Sequence, residues 1–76
     1  MATDRQLFPA DGGRISGEIK LDEPHSDPIE FDGVTSVELR EDFNGVLNCV
    51  VLFYGPALRV IYNGGIKWIS LQGLKE

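Results

Sequence analysis

The stretch Val46-Leu47-Asn48-Cys49-Val50-Val51-Leu52-Phe53-Tyr54 is apolar at every position except Asn48. Read as a strand, such a run needs cover on both of its faces, which 76 residues can hardly supply from within, so part of the cover is expected from another subunit. Asn44-Gly45 just before it carries the signal of a type I′ hairpin turn, so the strand is expected to fold back on the segment Val34 to Arg40. In that segment Thr35, Val37 and Leu39 alternate with Ser36 and Glu38, the period of a half-buried strand. Pro28-Ile29-Glu30-Phe31-Asp32 reads as a short edge strand that turns at Asp32-Gly33. On the other side, Gly55-Pro56 turns the chain into Leu58 to Tyr62. Asn63-Gly64-Gly65 turns it again into Ile66 to Leu71, completing a three-strand meander.

Further upstream, Ile15, Gly17, Ile19 and Leu21 fall on one face of a strand, with Ser16, Glu18 and Lys20 on the other. Gly17 on the inward face predicts a close backbone approach or a sharp bend. Asp22 to Pro28, with two prolines, reads as a loop or an edge. Thr3 or Asp4 is a candidate N-cap for a single helical turn, Arg5-Gln6-Leu7-Phe8, closed by Pro9 and Gly12-Gly13. The expected fold class is all-β: a small barrel of five to six short antiparallel strands, with at most one short N-terminal helical turn. A chain of 76 residues is expected to hold one domain over residues 1–76, with residues 1–13 as an N-terminal arm.

Apolar residues make up 42% of the chain and charged ones 25%, a balance that folds rather than one that stays disordered. The net charge of −5 hides an asymmetry. From Glu18 to Asp42 nine acids stand against Lys20 and Arg40, whereas Phe43 to Lys75 contains no acid and three cations, Arg59, Lys67 and Lys75. The single cysteine, Cys49, cannot form an intramolecular disulfide and is expected to be a buried structural thiol. With one Cys and one His (His25), no zinc cluster is expected and no cofactor is implied. No apolar run is long enough to span a membrane, and Met1-Ala2-Thr3-Asp4-Arg5 lacks the order of a leader peptide, so a cytoplasmic location is expected. No catalytic set is legible. His25 and Ser26 share a Pro/Asp-rich loop, and neighbouring carboxylates such as Asp22-Glu23 or Glu41-Asp42 point apart in a strand, so an enzyme is not expected.

The segment Leu58-Arg59-Val60-Ile61-Tyr62-Asn63-Gly64-Gly65-Ile66-Lys67-Trp68-Ile69-Ser70-Leu71 resembles the second signature of the Sm-like (Sm/Hfq) RNA-binding proteins. In that signature, apolar-x-apolar-Arg-Gly turns into apolar-x-aromatic-Ile-Ser-Leu. Ile15-Ser16-Gly17-Glu18-Ile19 is similar to the first strand of the family's first signature. Phe31-Asp32-Gly33-Val34-Thr35-Ser36-Val37-Glu38-Leu39 is similar to its continuation. A second register sets Phe43-Asn44-Gly45-Val46-Leu47-Asn48 on the same element. The chain departs from the family where Tyr62-Asn63 stands for Arg-Gly. The family's base-reading asparagine is Ser36 in the first register and Asn48 in the second.

The resemblance implies a small barrel that assembles into a cyclic homo-oligomer through its strand edges, with five to seven subunits and single-stranded RNA as partner. The turn then supplies the expected RNA contacts. Tyr62 would stack a base, Asn63 would bond a base edge, Gly64 would allow close backbone approach and Lys67 would offset a phosphate, with Asn48 nearby. Trp68 is expected to share its strand face with Ile66 and to serve folding. The alternative is an oligomeric interaction module of the kind carried by phages and mobile elements, whose acidic stripe from Glu18 to Asp42 meets a protein partner.

Overall fold

The computed structural model describes residues 3–75, and the leader reading at Met1-Ala2 lies outside them. The described chain is all-β, with seven antiparallel strands and no helix. They are β1 (Thr3–Leu7), β2 (Ile15–Leu21), β3 (Ile29–Val34), β4 (Ser36–Glu41), β5 (Leu47–Tyr54), β6 (Leu58–Asn63) and β7 (Ile66–Gln72). Two sheets form, one ordered β1-β4-β5-β6 and the other β3-β2-β7.

The chain crosses between sheets at Thr35, between β3 and β4. Its backbone N–H and its Oγ1 both donate to the Phe53 carbonyl (2.7 and 2.9 Å), and Oγ1 accepts the Gly55 N–H at 2.9 Å. One residue thereby fixes the bend to the far end of β5. A second link runs through the N-terminal arm. β1 joins the first sheet beside β4, and Pro9 then bridges to Leu74 beyond β7, with Ala10 N–H on the Gly73 carbonyl and Lys75 N–H on that of Phe8 (both 2.9 Å). No ladder joins β6 to β7 among the described residues, so the sheets do not close into a barrel.

Between the sheets lies one core, formed by Ile15 and Ile19 of β2, Phe31 and Val34 of β3, Val37 and Leu39 of β4, and Val50 and Leu52 of β5. The alternation in β2 and β4 places these side chains inward, and each fully buried aliphatic contributes about 1.5–3 kcal/mol. Gly17 lies in β2 opposite Leu71, and a β-carbon there would collide with the Ser70 carbonyl. The close approach expected of this glycine is therefore the contact of β2 with β7.

Four details differ from the sequence reading. Residues 3–7 are a strand and not a helical turn, because β4 offers them a full antiparallel register from Thr3↔Glu41 to Leu7↔Val37. The turn before β5 is not type I′, which requires two successive positive φ angles. Only Gly45 is left-handed (φ +79°), and the loop is held by Gly45 N–H on the Asp42 carbonyl (3.0 Å), as in a type I turn closed by a left-handed residue. The cover that β5 needs is supplied within one chain from Cys49 to Leu52, all buried, while Val46 is exposed. Finally, Trp68 is exposed (41%) and opposes Lys20, whereas Ile66 packs on the core. The shift arises at Lys67, the extra residue where Lys20↔Trp68 is followed by Leu21↔Ile66.

Candidate RNA-facing end

The β6–β7 turn is built from three backbone ties. Gly64 N–H donates to the Asn48 carbonyl at 2.9 Å, Asp22 N–H donates to the Gly65 carbonyl at 2.8 Å, and Cys49↔Asn63 ends the β5–β6 ladder. Asn48 is itself the extra residue of a β-bulge, since Arg40↔Cys49 is followed by Glu41↔Leu47. Bulges interrupt the pleat and redirect side chains, and here one flanks the turn on each side, at Asn48 and at Lys67.

Asn48, Asn63, Gly64 and Lys67 are thus gathered at one end of the molecule, and all four are exposed. Tyr62 joins them by register, opposite Val50, but its side chain is half-buried and packs against the core. It does not stand free as a stacking platform. Burial raises the Tyr54 phenol above its ordinary value, with Tyr62 and Asp32 adding to the shift, so the two tyrosines and Asp32 are electrostatic neighbours. Sequence reasoning missed Asp22 at this end. The acid precedes the acid-free half in the chain, and only the pairing of β2 with β7 brings it beside Gly65.

The loop after β2 is organised by a cation. Lys20 Nζ donates to the carbonyls of Leu21 (3.2 Å), Glu23 (3.1 Å) and Ser26, and to Ser26 Oγ at 3.0 Å. Ser26 is therefore turn chemistry, and His25 beside it is exposed. The acids do not form one stripe. Glu18 and Glu30 oppose each other across β2 and β3, with Asp32 further along β3, whereas Glu38 and Glu41 belong to the other sheet. Among the described residues no three of His, Cys, Asp and Glu converge as a metal ion would require, and no helix is long and apolar enough to cross a membrane.

Comparison with family models, with curated proteins and with solved structures finds no significant match.

Proposed function

We propose that the chain is an Sm-like, ring-forming protein that binds single-stranded RNA at the end bearing Asn48, Asn63, Gly64 and Lys67. One observation carries the assembly. β6 and β7 are consecutive in sequence yet lie in different sheets, and each has a single strand neighbour. Among the described residues each subunit has four edge strands, β1, β3, β6 and β7, and pairing β6 of one copy with β7 of the next is a heterologous contact, the kind that closes rings. Such pairing would also complete the barrel that a single chain leaves open. Ile61, exposed on β6, would lose that exposure in the ring.

The RNA reading rests on the two bulges, which leave amides and one cation exposed around a glycine turn in the acid-free half of the chain. Bases would be read by Asn63 and Asn48, and Lys67 would neutralise a phosphate. Tyr62 would contribute its exposed edge. Solution mass tests the ring, and five to seven times the chain mass is expected. Titration of oligo-uridine and oligo-adenosine tests the partner. Asn63→Ala should weaken binding with an unchanged melting curve, and Lys67→Ala should lower the salt dependence. A strict monomer removes the ring.

The opposed pair Glu18 and Glu30 favours a second reading, a module that presents carboxylates to a basic protein. Absence of RNA binding at low salt leaves that reading standing.

A further inference from the structure

The turn between β4 and β5 holds a large apolar side chain in water. Phe43 is 77% exposed and Val46 56%. The turn is rigidly built around Asp42, whose Oδ1 accepts the N–H groups of Asn44 (2.8 Å) and Val46 (3.0 Å) while its own N–H donates to the Val46 carbonyl at 2.9 Å. A preorganised knob of this kind loses little entropy when it is buried against another surface. Asp42 lies immediately before the ring, while Glu41 is paired with Arg5 at 4.0 Å.

At the opposite end of β5 is a depression of about 290 Å³, lined by Phe53, Pro56, Ala57, Leu58 and Arg59. Leu58 is 58% exposed, and no carboxylate among the described residues lies within ion-pair distance of Arg59. The depression thus sets an available guanidinium against the side chains of Phe53 and Leu58, a place where an aromatic ring can stack on the cation. The eight residues of β5 separate knob and depression by about 26 Å, so a chain cannot fill its own depression.

We propose that Phe43 of one copy inserts beside Arg59 of a second copy, joining molecules head to tail along the strand direction. The knob meets Phe53, Pro56, Ala57 and Leu58, and Asp42 meets Arg59. Charge complementarity selects this occupant, because the same chain carries an aromatic knob beside Asp42 and a recess beside Arg59, which has no ion-pair partner among the described residues. The contact is heterologous and engages side chains at the start of β6, whereas the proposed ring uses the backbone edge of that strand, so it multiplies whatever particle that pairing makes.

Sedimentation of the full chain over a range of concentrations tests it. The wild type should grow in whole multiples of a base particle. Phe43→Ser, at an exposed turn position, should keep the wild-type melting curve and weaken this growth about thirtyfold or more, as the loss of an anchoring aromatic does. Arg59→Glu should also stay at the base particle. Mixing the two variants should restore a particle of twice the base mass, since the first retains the recess and the second retains the knob. A wild type that does not grow, growth of Phe43→Ser that matches the wild type, or a mixture that fails to double would each overturn the proposal. The base particle reports separately on strand pairing, being a monomer if that reading fails and a ring if it holds.

Discussion

Gly17 faces the backbone of Ser70 across the β2–β7 ladder so closely that the two strands leave no volume for a β-carbon. Backbone lies on both sides of the gap, so neither side can yield by a rotamer change. Gly17→Ala should therefore destabilise the fold by about 3 kcal/mol, at the upper end of overpacking costs. Chemical denaturation of wild type and variant measures it, and an unchanged midpoint would show that the strands separate freely.

Thr35→Val keeps the shape of the bend and removes its hydroxyl. The Gly55 N–H loses its partner, and the Phe53 carbonyl keeps only the Thr35 N–H. The expected cost is about 1–2 kcal/mol, the range for a partly buried donor left unmade. Amide exchange at Gly55 should quicken first, ahead of the β5 core.

Lys20→Met retains the aliphatic stem and removes the ammonium that gathers three carbonyls and the Ser26 hydroxyl. Charge-assisted bonds at a partly exposed site suggest a local loss of about 1–2 kcal/mol. Limited proteolysis should cut residues 22–27 sooner in the variant, with the core melting almost unchanged. Equal cutting rates would show that the loop holds itself.

The Tyr54 phenol, raised by burial and then by Tyr62 and Asp32, should ionise later than an ordinary tyrosine. Because burial disfavours the phenolate in the fold, stability is unaffected below the unfolded value, near pH 10, and falls as pH rises from there through the folded value. Ultraviolet titration should show one tyrosine late, and Tyr54→Phe should delete that phase while leaving stability at neutral pH little altered.

Strand existence was largely legible, and strand context was not. The alternation Ile15 to Leu21 and the apolar run ending at Tyr54 located β2 and β5, because period-2 burial is a local property. β1 escaped because Thr3 to Leu7 has no period of its own. It is a strand only through the register that β4, more than thirty residues away, supplies. At the candidate site, Asn63, Gly64 and Lys67 are consecutive enough to be read together. The bulges at Asn48 and Lys67 could not be read, since one extra residue breaks the alternation on which facing is inferred. The same break misled the placement of Trp68.

The closure of β2 by β7 also has a cost in time. Ile15 to Leu21 pair with a strand roughly fifty residues further along the chain, so nothing local can occupy that edge of β2. Loop closure over that separation must come before the pairing, and it sets a slow step in folding. Until then one edge of β2 stands bare beside an apolar face and is open to wrong pairing with another chain.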